Sequence, residues 1–187
     1  GSRSLDLSDE VTAFVDADLA GDVESLRSTT GFGLLFKGSL VSWMAKLQPT
    51  VALSTSEAET NAAVEVVKQL MHTRLFLREI GFNQEYPTAL YEDNNACITF
   101  TENTGNSKKT KHYQMRVHFL QEQKEAGIYT MERVATDEQL ADTFTKALPI
   151  AAFIKYRDWM GVVASETVET SNVQCKGQDE QQVDSNI

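Results

Sequence analysis

At 187 residues, with an ordinary apolar content of 41%, the chain is long enough for one domain with a tail and an adequate core. A formal net charge of −10 argues against tight, purely electrostatic nucleic-acid binding. No apolar run nears the roughly 18 residues of a membrane span, and Cys97 and Cys175 are too few and too far apart for a disulfide framework or a zinc site. The expectation is a protein without a membrane segment in an intracellular, reducing setting. Gly1-Ser2 reads as the remnant of a cleaved tag, and residues 1–10 as that remnant plus a lead-in.

Val11–Val15 predicts a buried strand ending at Asp16-Ala17-Asp18. Gly31–Phe36 and Leu40–Ala45 predict two strands joined through Lys37-Gly38-Ser39 as a hairpin, with Trp43 assigned to the core. Pro49 interrupts the chain before Leu53-Ser-Thr-Ser-Glu-Ala-Glu59, which opens a long helix. Both Ser54 with Glu57 and Ser56 with Glu59 have capping-box spacing, so local rules leave open which carboxylate is the cap. Ala62, Val66, Leu70, Thr73, Leu77 and Ile80 recur at spacings of three and four and predict one buried stripe, closed by Gly81.

Thr88–Glu92 predicts a fourth strand ending at Asp93. Asn94-Asn95 caps a short helix through Phe100, and Asn103–Ser107 is a polar loop. Thr110–Ala126 is predicted helical, with Met115, Val117, Phe119 and Leu120 buried, and Ile128–Val134 alternates as a fifth strand. Thr136 and Gln139 have capping-box spacing, which predicts a last helix with Leu140, Phe144 and Leu148 on one face. An amphipathic extension over 149–164, with Phe153, Ile154, Tyr156, Trp159 and Met160, is expected to dock on the domain. Residues 165–187 are expected to form a disordered acidic tail. The order βββαβααβα implies an α/β fold with a five-stranded mixed sheet and helices on both faces.

The carboxylates fall in a pattern. Asp16 and Asp93 end strands, where ligands collect in α/β sheets. Glu59 lies in the first turns of the long helix, and Asp142 in the last helix. Acids from four separated segments converge only if the first and fourth strands are neighbours. Their repulsion would then call for hard divalent cations with oxygen ligands. Two such ions about 4 Å apart would clamp an in-line phosphoryl displacement. Taken singly, each acid also fits a turn, a cap or a solvated helix face. Spacing alone decides no further.

Ordered segments carry a resemblance. They are Val15-Asp-Ala-Asp-Leu-Ala-Gly-Asp22, Arg27-Ser-Thr-Thr-Gly31, Val41-Ser-Trp43 and Gln48-Pro-Thr-Val-Ala-Leu-Ser-Thr-Ser-Glu-Ala-Glu59. Glu92-Asp-Asn94, Lys109-Thr-Lys-His112, His118-Phe119, Gln139-Leu-Ala-Asp142 and Thr145-Lys146 complete the set. Over 11–148 the chain resembles the ribonuclease H domain of copia-type (Pseudoviridae) LTR retrotransposon Pol polyproteins. Leu19, where Trp is usual, and Thr60, where Tyr is usual, are departures that bear on packing and substrate contacts.

The resemblance implies a ribonuclease H-like fold and an endoribonuclease that hydrolyses the RNA strand of RNA–DNA hybrids during reverse transcription. It implies two Mg²⁺ ions, with Mn²⁺ able to substitute, held by Asp16, Glu59, Asp93 and Asp142. Glu59 is the matching acid because Glu59-Thr-Asn-Ala-Ala63 carries the shared pattern, which assigns Ser54 and Glu57 to the cap. His112 is a candidate for proton transfer or product release, with packing or phosphate contact as the other reading. Ser28, Thr29 and Asn94 are candidate contacts to 2′-hydroxyls or phosphates. Lys108, Lys109, Lys111 and Arg116 are candidate phosphate contacts. Expected partners are an RNA–DNA hybrid and the reverse transcriptase domain of the same polyprotein, in the cytoplasm within a virus-like particle or in the nucleus. The alternative is a non-catalytic module of the same fold that binds nucleic acid or docks a polymerase.

Overall fold

The computed structural model describes residues 9–102 and 111–163. The expected tail at 165–187, the start of the lead-in, the loop Asn103–Ser107, Lys108, Lys109 and Cys175 lie outside the described residues. Five strands form one sheet: β1 (Val11–Asp18), β2 (Thr29–Phe36), β3 (Ser39–Leu47), β4 (Thr88–Glu92) and β5 (Tyr129–Arg133), in the order β3-β2-β1-β4-β5. β1, β2 and β3 pair antiparallel, while β4 runs parallel to β1 and to β5. The β2–β3 hairpin turns on Lys37 and Gly38, both at positive φ (51° and 70°), the conformation that matches the strands' twist.

The helices are α1 (Thr55–Glu79), α2 (Asn95–Glu102), α3 (Lys111–Glu125), α4 (Asp142–Thr145) and α5 (Ile150–Trp159). Alternation along β1 sends Val11, Ala13, Val15 and Ala17 into a core with α1, where Ala62, Val66 and Leu70 are fully buried. Phe14 faces the other side, among Leu140, Ala141, Tyr156 and Met160. Helices therefore cover both faces. No described helix is long and apolar enough to cross a membrane.

α1 begins where the Ser54/Glu57 pairing predicts. The Ser54 hydroxyl accepts the Glu57 amide at 3.2 Å, and the Glu57 carboxylate accepts the Leu53 amide at 3.0 Å. It ends at Gly81 (φ 94°), with the Phe82 amide returning to the Leu77 carbonyl at 2.8 Å. Asn94 caps α2 through its Oδ1, which accepts the Ala96 and Cys97 amides.

The structure departs from several expectations. Thr136–Leu148 is not one helix but a 3-10 turn at Thr136–Glu138, a break, and then the short α4. The break follows from Gln139, which has no exposure and spends its side chain on the Val15 carbonyl (2.8 Å) and the Ala141 amide (3.3 Å). A long-range partner for a buried amide outweighs a local capping box. Trp43 is not core: β3 is an edge strand and the indole is 64% exposed. On α3, Met115 is exposed, while Tyr113 and Leu120 fill the buried positions. α5 docks through Tyr156 and Met160, with the Leu40 amide bonded to the Met160 carbonyl at 2.9 Å, and leaves Phe153 and Ile154 exposed.

Candidate active site

Parallel pairing of β1 and β4 sets Phe14 opposite Tyr91, and that register, continued by two residues, brings Asp16 beside Asp93 at the strand ends. The first two turns of α1 deliver Glu59 to the same place. Asp16, Glu59 and Asp93 each offer an oxygen, and these oxygens lie within 4.8 Å of one another. With Thr55, Asn94 and Lys146 they line an open recess of about 410 Å³. Asp16 and Glu59 form its buried wall at 2% and 3% exposure.

Asp142 stands beside this trio rather than within it. Its Oδ1 accepts from the Lys146 ammonium at 2.8 Å, and the same ammonium lies 3.4 Å from Asp16 Oδ2. The Thr145 hydroxyl donates to Asp16 Oδ2. α4 therefore brings one acid, one hydroxyl and one cation to Asp16, and it can do so because β2 carries glycine beneath it. A Cβ on Gly31 would sit 2.5 Å from Thr145 Cγ2 and 2.9 Å from Phe144 Cβ. Gly31→Ala should push α4 off the sheet and cost about 1–3 kcal/mol in overpacking. A urea midpoint equal to that of the parent chain would refute this close fit.

The electrostatics are those of a crowded acid cluster. Burial, and then the charges of Glu92, Asp16 and Asp93, push Glu59 up to about 11. Burial also raises Glu92, to about 8, against the Asn94 amide bond that lowers it. Asp93 and Asp142 are raised too, first by burial and then by neighbouring charge. For Lys146, burial works downward, but the bond to Asp142 and the charge of Asp16 win and raise it. Glu59 Oε2 and Glu92 Oε2 are buried oxygens without a hydrogen-bond partner. Orphaned carboxyl oxygens are costly in a protein interior. An all-oxygen set of this kind fits a hard divalent cation.

The remaining expected site residues are spread more widely. Asn94 lines the recess. Ser28 has no exposure, and its hydroxyl accepts the Ala20 amide at 3.2 Å, so it holds the β1–β2 loop and presents no surface. Thr29 opens β2 opposite Asp18. Lys111 and His112 are exposed in the first turn of α3. That turn lies against the start of α1, because the Tyr113 hydroxyl is 3.2 Å from Thr60 Oγ1 and 3.3 Å from Ser56 Oγ. Arg116 lies one turn further on, in a different recess.

Three residues near the site were not singled out from sequence as part of it. Thr145 and Lys146 follow Asp142 by three and four residues, the spacing at which helix neighbours meet. Glu92 shares the inward register of Thr88 and Leu90 on β4 and is fully buried; its Oε1 accepts the Asn94 amide at 2.9 Å. Period-two alternation would have placed it inside.

Known proteins place this geometry in context. No protein-family profile matches the chain. Over 150 residues, covering 80% of the chain, it is 36% identical to a retrovirus-related Pol polyprotein from transposon TNT 1-94 of Nicotiana tabacum. It is 32% identical over 151 residues, 81% of the chain, to the corresponding polyprotein from transposon RE2 of Arabidopsis thaliana. The chain spans only 11% and 10% of the length of these relatives. Among solved structures, LC11-RNase H1, isolated from compost, superposes with a TM-score of 0.55 at 11% identity, covering 74% of this chain and 94% of that one. RNase H1 of Halobacterium salinarum gives 0.51 at 14% identity, with 73% and 94% covered. LC11-RNase H1 has also been solved in complex with an RNA/DNA hybrid, with a TM-score of 0.55 at 10% identity over 73% of this chain and 94% of that one.

Proposed function

Because the chain belongs to the copia-type retrotransposon Pol family and carries the ribonuclease H fold, we propose that it is an endoribonuclease hydrolysing the RNA strand of RNA–DNA hybrids. The observation that carries this reading is the convergence of Asp16, Glu59 and Asp93 at one end of the sheet, with an orphaned buried oxygen on Glu59. Two divalent cations, Mg²⁺ or Mn²⁺, held by Asp16, Glu59, Asp93 and Asp142 would supply Lewis acidity to the attacking water and to the leaving oxygen.

The chain's own groups have separable parts to play. Thr145 and Lys146 fix the rotamer of Asp16 and balance its charge. Lys146 also holds Asp142, a carboxylate that would serve a divalent cation. Asn94, rigid as the α2 cap, presents the strand–helix turn to the RNA backbone. His112, exposed in the first turn of α3, would shuttle a proton or aid product release. Lys108, Lys109, Lys111 and Arg116 contact phosphates and orient the duplex without reading sequence.

The hybrid-bound LC11-RNase H1 supports the substrate class by analogy of fold. The Pol relatives support a role in reverse transcription beside a reverse transcriptase domain of the same polyprotein, in a cytoplasmic virus-like particle or the nucleus. The competing reading is a non-catalytic nucleic-acid-binding or polymerase-docking module, favoured by the ammonium that Lys146 places on Asp142. A panel of RNA–DNA hybrid, duplex DNA and duplex RNA, each with Mg²⁺ and with chelator, decides. Mg²⁺-dependent cleavage confined to the hybrid is expected. Hybrid left intact at every Mg²⁺ concentration would overturn the nuclease reading.

A further inference from the structure

Lys146 closes α4, its amide bonded to the Asp142 carbonyl at 3.0 Å, and the i, i+4 spacing sets their side chains together. Its ammonium lies 2.8 Å from Asp142 Oδ1, and 3.4 Å and 3.5 Å from the two oxygens of Asp16. One cation thus bridges a carboxylate of β1 and a carboxylate of α4. The lysine side chain is 38% exposed against two largely buried acids, so the bridge closes from the solvent side. Lys146 is the only basic residue among the described residues that line the acid recess. Glu59 and Asp93 make no ion pair among the described residues.

The bridge falls where the acids divide. Asp16, Glu59 and Asp93 bring oxygens within 4.8 Å of one another, and Asp142 is not in that group. Asp142 is held by Lys146 instead. A lysine ammonium is a compact point charge with several donors, and it neutralises and orients carboxylates much as a metal ion does. It is monovalent, however, and its flexible stem lets it leave for water. Being tethered, it keeps a high effective concentration at any cation content of the solution. A divalent cation that uses Asp142 with Asp16 must displace this ammonium or bind beside a like charge.

Resting on the reading of the cluster as a divalent-cation site, we propose that Lys146 is a tethered competitor for that site. It is a positioning residue: it holds Asp16 and Asp142 together in the metal-free chain and sets how tightly the cluster takes a divalent cation. A charge within about 4–6 Å changes a carboxylate's proton affinity by about tenfold or more, and a divalent cation feels the same charge twice over. The ammonium on Asp142 then tunes the site and does not disable it.

The test titrates Mn²⁺ alone into the full chain, without nucleic acid, and follows free Mn²⁺ by its paramagnetic resonance signal. Lys146→Gln should tighten Mn²⁺ binding by about tenfold or more, because the competing charge is gone. Lys146→Arg keeps the charge and should stay close to the parent chain. A lysine with a merely structural part would give the opposite sign, since loosened acids bind a cation more weakly. The parent chain supplies a second measurement that needs no variant to fold. As Mg²⁺ is added, the ¹⁵Nζ resonance of Lys146 should move to that of a solvated ammonium.

Mn²⁺ binding that is unchanged or weaker in Lys146→Gln overturns the competitor, as does equal tightening in Lys146→Arg. A Lys146 resonance that stays in place once Mg²⁺ is bound overturns it too. If neither the parent chain nor Lys146→Gln binds Mn²⁺, the cation reading of the cluster falls and the competitor falls with it. If the parent chain binds Mn²⁺ and Lys146→Gln binds it no tighter, only the competitor falls. Tighter Mn²⁺ binding in Lys146→Gln, with the hybrid left intact by the parent chain in the substrate panel, upholds the competitor and sinks only the nuclease reading.

Discussion

Asp16→Asn should abolish cleavage of an RNA–DNA hybrid while leaving the fold intact. Asp16 is the acid on which everything else at the site converges: its carboxylate meets the Thr145 hydroxyl and the Lys146 ammonium and lies within ligand distance of Glu59 and Asp93. Asparagine keeps an oxygen that can still accept from Thr145, so α4 keeps its anchor. What it loses is the charge that would hold a cation. Removing one acid from a repelling cluster does not threaten the fold. If bound cations supply several kcal/mol to the barrier, losing about 4 kcal/mol of that lowers the rate roughly a thousandfold. Single-turnover cleavage beside a circular-dichroism melt checks both halves. A folded Asp16→Asn protein that cleaves within tenfold of the parent chain would remove the acid cluster from the mechanism.

What the sequence disclosed and what it withheld divide along a physical line. The end of α1, the α2 cap and the β2–β3 hairpin were legible because local chemistry determines them: Gly81, Asn94, Lys37 and Gly38. At the start of α1 local rules left two capping boxes open, and the resemblance chose Ser54 with Glu57. Asp16, Glu59 and Asp93 were legible as a set through the resemblance, which supplied the neighbour relation of β1 and β4 that spacing could not. Gln139 was misread because its partner, the Val15 carbonyl, is 124 residues away and no local rule sees it. Trp43 was placed in the core because an aromatic residue on a strand usually packs, and only the strand order makes β3 an edge.

Glu59→Gln should stabilise the metal-free protein, with the gain growing as pH rises. Unfolded, this carboxyl titrates near 4.5; in the folded site, burial and the charges of Glu92, Asp16 and Asp93 push it up to about 11. Between those values the native state holds a proton that the unfolded chain releases, so raising pH favours unfolding. The contribution is fully present below pH 4.5 and is lost as pH climbs toward 11, by no more than about 1.4 kcal/mol per pH unit. At neutral pH that amounts to up to about 3 kcal/mol. Glutamine carries no titratable group and is free of this cost, though Glu92, raised to about 8 by its own burial, leaves part of the slope in place. Mg²⁺ should reverse the ranking: it stabilises the parent chain by mass action, by about 2.7 kcal/mol at a hundredfold excess over its dissociation constant, and stabilises Glu59→Gln far less. Thermal melts at pH 5.5, 7 and 8.5, in chelator and in Mg²⁺, measure all of this. A parent chain whose chelator melts do not fall with pH, or whose Mg²⁺ gain survives in Glu59→Gln, would show that the orphaned oxygen of Glu59 is not where the cation binds.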